Sequence, residues 1–274
     1  RNSGDLSYME LYTDSDTSIL NTGTINHSGI SGDGYYSEWI PGAQVMNTGT
    51  IVDSFIQDVG EMVNSGYIGG DITQGTGTSI AVRYGNIFTN TANGVIDLIA
   101  PQLSLEVMSV DGQFTNQGMI NAYSSDIHIN GASWSGIFTN ENTLNNLGSR
   151  ILINNGGVLR NQGTMTNGME HMIYGIPEIS LGYGGDAPST LENSGTLENY
   201  HLIQGEGQVL NSGLLINHGS GSIDVRYLEN SGRLETAGAI SARDGFRVTE
   251  TGTLVGKNRK STRLNSSHVA ISYA

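Results

Sequence analysis

The chain has 274 residues, 12 basic and 26 acidic side chains, a net charge of −14, 39 glycines, 4 prolines and no cysteine. With lysine confined to Lys257 and Lys260, it lacks the clustered basic surface that nucleic-acid backbones and anionic membranes require, and the missing cysteine excludes disulfides and thiolate metal sites. No apolar run of about 18 residues is present to span a bilayer, and 26 asparagines beside the glycines favour tight corners over long helices.

Residues 1–18 begin at Arg1 without an initiator methionine or an apolar signal region, and read as the partial first coil of a fragment of something longer. From Ile19 one unit recurs: apolar, any, Asn, any, Gly, any, apolar. Clean copies centre on Asn21 (ILNTGTI), Asn47 (VMNTGTI), Asn64 (MVNSGYI), Asn116 (FTNQGMI), Asn161 (LRNQGTM), Asn193 (LENSGTL), Asn211 (LNSGLL) and Asn230 (LENSGRL). Three copies are degraded. Asn90 reaches a glycine only at Gly94 and its apolar partner is displaced to Val95, Asn140 has Asn142 in the Gly place, and Glu250 stands for Asn ahead of Gly252. Every one of these eleven anchors has an apolar residue two positions before it, from Ile19 to Val248, and ten have another four positions after, from Ile25 to Leu254. The tail 259–274, RKSTRLNSSHVAISYA, has no Gly and no acidic residue. Its first ten residues resemble the translation of a short-read sequencing adapter, so it is expected to be non-native.

The anchors lie 17 to 32 residues apart, about 23 on average, the length of one coil of a β-solenoid. Short strands stacking on their counterparts about 4.8 Å away would make eleven coils into a rod roughly 50 Å long. The fold class expected over 19–258 is therefore all-β, a right-handed parallel β-helix (β-solenoid) of about eleven irregular coils, the hand following from the bias of parallel crossovers. At each corner the Gly is expected to take a left-handed conformation. The Asn amide, both donor and acceptor, is expected to bond the coils above and below as an asparagine ladder through the eight clean anchors. A second Asn five or six residues on (Asn26, Asn121, Asn167, Asn199, Asn217) marks a second corner or polar ladder.

Runs such as LENSGTLENYHLIQGEGQVLNSGLLINHGSGSI and VMNTGTIVDSF, and the repeat over about residues 19 to 254, resemble the passenger segments of bacterial autotransporters and the filamentous haemagglutinin-type adhesins of two-partner secretion. Members of those families are exported, form long β-helices at the cell surface and mostly serve in adhesion. The resemblance implies a structural or adhesive stalk at the bacterial cell surface or outside the cell. It would be a monomeric rod not embedded in the membrane, without a cofactor or bound nucleic acid, meeting a host-surface or matrix glycan or protein. Absence of Cys suits passage through a narrow export pore. The families' export signal, C-terminal β-barrel and N-terminal secretion domain are not found in this sequence, so the route stays open.

The same fold class hosts polysaccharide lyases and hydrolases, which need carboxylates clustered for Ca²⁺ or held at a set separation, with a basic proton acceptor in the lyases. Arg83, Arg150, Arg160, Arg226, Arg233, Arg243 and Arg247 are scattered, and the pairs Glu192 with Glu198 and Glu229 with Glu235 repeat at equivalent coil positions, as residues decorating an outer face would. Asp14 with Asp16, and Asp186 in GYGGDAPS, lack the rest of a calcium loop. His27, His128, His171, His201 and His218 show no metal-ligand spacing. No catalytic, cofactor or metal residue is assigned, and the enzyme remains the alternative to the stalk. The longest interval, between Asn161 and Asn193, holds Met169, Met172, Tyr174, Pro177, Tyr183 and Pro188; those after Asn21 and Asn116 hold Tyr35, Tyr36 and Trp39, and Tyr123 and Trp134. Tyr35, Tyr36, Trp39, Trp134, Tyr174 and Tyr183 either pad the core or offer exposed rings to a sugar or protein.

Overall fold

The computed structural model describes residues 1–14, 17–32, 44–70, 76–83, 85–99, 106–123, 125–131, 136–169, 176–182 and 188–256. Among them there is no helix, and every strand pairing is parallel. Each coil carries three short strands, which stack into three faces. Face A ends on the anchor Asn, as in Gln113–Asn116 and Val158–Asn161. Face B follows the Asn corner, as in Thr24–Asn26 and Met119–Ala122. Face C completes the turn, as in Gly29–Gly32 and Arg150–Asn154. Face B is a sheet of twelve strands, giving eleven coil-to-coil steps. Faces C and A become continuous in the last coils through Leu202–Asn211, Ser222–Asn230 and Ala239–Val248. The chain is a parallel β-helix.

Residues 1–13 belong to it as its first coil: Asn2 bridges to Asn21, Asp5–Ser7 pairs with Thr24–Asn26, and Glu10–Thr13 with Gly29–Gly32.

Alternation along each strand sends one apolar side chain inward per face. Face A supplies Val45, Met62, Phe88, Phe114, Phe138, Leu159, Leu191, Val209 and Leu228, and face B supplies Ile25, Ile51, Ile68, Ile96, Ile120, Leu144, Met165, Leu197, Leu215 and Leu234. Face C adds Ile30, Ile56, Ile80, Ile127, Ile151, Ile179, Ile203 and Ile223, a third stripe that the anchor spacing did not disclose. One coil cannot cover three such residues by itself, so burial comes from the coils on either side. Phe88, Phe114 and Phe138 occupy one column and stack ring on ring, with centroids 4.7 and 4.8 Å apart.

Three details correct the sequence reading. In the Asn90 coil the inward residue is Ile96, aligned with Ile68 and Ile120; Val95 is its neighbour on the strand. In the last coil Val248 aligns with Asn230 and Phe246 with Leu228. The anchor place is therefore Val248, not Glu250, and the apolar side chain sets the register of an inward stripe more firmly than the motif does. Finally, none of the corner glycines has a left-handed φ. They are required by close approach: a Cβ built on Gly49, Gly66, Gly195 or Gly213 would lie 2.1 to 2.2 Å from the carbonyl oxygen of the corner glycine one coil earlier.

Candidate functional site

The side chains that the fold organises most tightly are the anchor asparagines. Each strand of face A ends with its Asn pointing inward at the corner, where backbone groups turn away from both sheets and need partners. Asn21, Asn47, Asn64, Asn116, Asn161, Asn193, Asn211 and Asn230 are all buried. With Asn2, Asn90 and Asn140 they form one uninterrupted line. In every step the Nδ2 of one Asn donates to the Oδ1 of the Asn in the next coil, at 2.6 to 2.8 Å. The second N–H of the same amide reaches backbone oxygens of the bend, as Asn161 does to Thr196 O at 2.8 Å and Asn193 to Leu214 O at 3.0 Å. The line therefore has a direction, and it satisfies polar groups that would otherwise be orphaned inside the rod. Asn2 lacks the apolar residue two positions earlier that marks the other anchors, although Gly4 and Leu6 complete the pattern.

The second Asn positions divide into two columns. Asn167, Asn199 and Asn217, joined by Asn146, make a buried ladder with steps of 2.8 Å that ends on the Thr236 hydroxyl. Asn26 and Asn121 sit one residue earlier on face B, in the outward column. There Asn121 donates to Asp97 at 2.9 Å and accepts from Asn145 at 2.9 Å. In the first coils the second corner is tied by hydroxyls instead: Met9 N–H donates to Ser28 Oγ, Ser28 N–H to Ser54 Oγ and Ser54 N–H to Thr78 Oγ1.

The charged groups pair across the coils, apart from Arg233 and Glu235, which share one strand. Arg83 grips buried Asp58 with two bonds at 2.8 and 3.0 Å, and Arg150 does the same to buried Asp126, which holds its guanidinium above the ordinary pKa through that hydrogen bond first and Asp126's charge second. Arg160 pairs with Glu192, Arg226 with Asp244, Arg233 with Glu235, Arg243 with Glu206 and Arg247 with Glu229. Each of the seven arginines after Arg1 in the described body thus faces a carboxylate. The remaining member of the two glutamate pairs, Glu198, accepts from the Tyr200 hydroxyl at 2.9 Å and meets His218 at 3.2 Å, where the imidazole stacks on the Tyr200 ring. Tyr67 donates to Asp97 at 3.1 Å; burial, and then the Asp97 charge, push its phenol up to about 12. His27 stacks on Tyr8. Among the described residues no three His, Asp or Glu side chains converge as a metal site would require.

The six aromatics named as ligand contacts (Tyr35, Tyr36, Trp39, Trp134, Tyr174 and Tyr183) lie outside the described residues, as do Asp16, Met172, His171 and Asp186. No protein-family model, no curated protein and no solved structure matches this chain.

Proposed function

We propose that this chain is a stalk segment of an exported bacterial surface protein, a rigid scaffold that supports adhesion. The observation that carries the reading is the unbroken ladder from Asn2 to Asn230, which commits the interior to holding coils in register. The pairing of the arginines with carboxylates, in six of seven cases between coils, supports it, because those cations neutralise neighbouring carboxylates. The repeat style, acidity and absence of Cys agree with an exported passenger of the autotransporter or haemagglutinin-like kind. Its partner would be a glycan or protein of a host surface or matrix.

The test is to incubate the purified chain with acidic and neutral polysaccharides, with and without Ca²⁺, and to recover the flanking gene sequence. Intact polysaccharides, with a downstream β-barrel or an upstream secretion domain in the gene, are the expected results. Cleavage abolished by substituting the carboxylates of one coil would overturn the stalk in favour of a carbohydrate-active enzyme.

A further inference from the structure

The most unusual surface of the rod lies at the corner between faces B and C in its first three coils. Three consecutive coils place non-glycine residues there in the left-handed region: Tyr8 at φ 58°, His27 at 46° and Asp53 at 50°. That conformation is uncommon for any L residue and costly for a bulky one such as tyrosine. It is held here because each of the three N–H groups bonds a carbonyl of the next coil, Asn26, Val52 and Gly69 in turn, at 3.2 Å. The result is a column of ring, ring and carboxylate. Tyr8 is 79% exposed and its ring stacks on the exposed His27 imidazole at 5.1 Å.

Parallel to it runs the outward column of face C, where Glu10, Gly29 and Phe55 are register partners. Gly29 leaves a gap in the middle of this column, and the partly exposed Phe55 ring leans into it: a Cβ on Gly29 would lie 2.2 Å from Phe55 Cζ. The two columns border a shallow, open recess of about 460 Å³ that Met9 and Ser28 also line. The floor is fixed from beneath by the hydroxyl line, since Met9 N–H is bound to Ser28 and Ser28 N–H to Ser54, both at 3.1 Å.

The chemistry of the recess selects its ligand. Rings and carboxylates alternate on its two diagonals, Tyr8 with Phe55 and Glu10 with Asp53. The carboxylates stand two coils apart, about 10 Å along the axis; Glu10 Oε2 accepts from the Tyr12 hydroxyl at 3.0 Å and Asp53 Oδ1 is buried, which leaves one oxygen of each for a ligand. No Lys or Arg lines the recess, and its one imidazole, His27, is stacked on Tyr8, so the Glu10 and Asp53 carboxylates dominate its charge and disfavour an anion. A neutral sugar offers the complement: C–H faces for the rings and hydroxyl donors for acceptor-only carboxylates. We propose that this recess binds a neutral glycan, one or two pyranose rings lying along the rod, with Tyr8 and Phe55 as stacking faces and Glu10 and Asp53 as hydroxyl acceptors. This rests on the adhesive reading above and names the class of partner.

The test is saturation-transfer NMR on the intact chain with lactose, maltose and cellobiose, using sialyllactose and tetramethylammonium as charged comparators. Transfer to ring protons of at least one neutral disaccharide is expected, with affinity falling about tenfold in Tyr8→Ala, as the loss of one stacked ring implies, and falling also in Glu10→Gln, an exposed site whose change leaves the coil folded. An unchanged amide spectrum certifies each variant. Absence of transfer to all three disaccharides, transfer indifferent to both substitutions, or transfer to tetramethylammonium in their place would overturn the proposal. The stalk stands or falls separately, on polysaccharide cleavage and the flanking gene.

Discussion

Replacing Asn193 by alanine tests the ladder at a buried interior rung. The side chain accepts from Asn161 Nδ2 at 2.7 Å and donates to Asn211 Oδ1 at 2.7 Å and to Leu214 O at 3.0 Å. After truncation the Asn161 amide keeps Thr196 O at 2.8 Å and Gly163 O at 3.3 Å. Asn211 Oδ1, in a residue only 2% exposed, loses its ladder donor. One orphaned buried acceptor costs about 1–3 kcal/mol and the lost bond to Leu214 about 1 more, so Asn193→Ala should destabilise by roughly 2–4 kcal/mol. Asn193→Asp probes the direction of the line. It keeps shape and acceptor but turns a carboxylate oxygen towards two acceptors, and only its protonated form can donate across that gap. Burial and the facing oxygens raise the folded-state pKa of the new carboxyl above its unfolded value. The variant is therefore most stable below the unfolded pKa, near 3.9, and loses that stability as pH rises through the folded one. The assay is hydrogen exchange at the Ser212 and Gly213 amides, which donate to Asn193 O at 2.8 and 3.0 Å, beside denaturant unfolding followed by circular dichroism. Local exchange is the sharper readout because a repeat array opens in parts. A change below about 0.5 kcal/mol in Asn193→Ala, the range of an ordinary surface substitution, or a pH-independent Asn193→Asp, would refute the argument.

Phe114→Ala should cost about 3–5 kcal/mol, because it opens a cavity in the middle of the three-ring stack, and Phe114→Leu much less; denaturant titration of the two variants checks the difference. Gly195→Ala should destabilise by about 1–3 kcal/mol through forced displacement of neighbouring backbone, since its Cβ would meet Gly163 O at 2.1 Å, whereas Gly219→Ala, with nothing within 4 Å, should leave the midpoint unchanged. Tyr67, raised to about 12 from 10.0, favours the protonated phenol in the folded state. That contribution is complete below pH 10 and is lost as pH rises through about 12, so Tyr67→Phe should flatten the alkaline decline of stability, read by ellipticity between those limits.

What the sequence disclosed depended on distance along the chain. Face A, the Asn corner and face B are spelled within seven residues, so the flanking apolar positions of ILNTGTI or LENSGTL give two of the three faces directly. Face C lies at a variable remove: Ile30 follows Asn21 by nine residues, and Ile179 follows Asn161 by eighteen. Those isoleucines share no fixed offset from the anchors, yet in space they occupy one stripe. The corner glycine illustrates a different limit. Its presence was legible and its reason was not, because a missing Cβ serves a left-handed turn and a close coil-to-coil approach equally well, and only the stacked neighbour distinguishes them. The recess fell outside reach for a similar cause. Tyr8, His27 and Asp53 share no local motif, and parallel stacking alone makes them neighbours.

The two polar lines also explain why the rod is not uniform. Before Asn146 the second corner is tied by hydroxyls, and as far as Asn193 the intervals between rungs are unequal, 17 to 32 residues. From Asn146 onward amides bond step to step at both corners. In the last coils faces C and A merge, and successive ladder positions Asn193, Asn211, Asn230 and Val248 fall 18, 19 and 18 residues apart. A coil pinned at two corners and continuous at the third has no length left for an excursion. The intervals that hold Tyr35, Tyr36, Trp39, Trp134, Tyr174 and Tyr183 all precede Asn193, as does the recess at Tyr8. Capacity for surface variation and capacity for regular stacking are thus set against each other by one variable, the number of residues between ladder rungs. The coils after Asn193 give that length to stacking, in strands continuous across faces C and A.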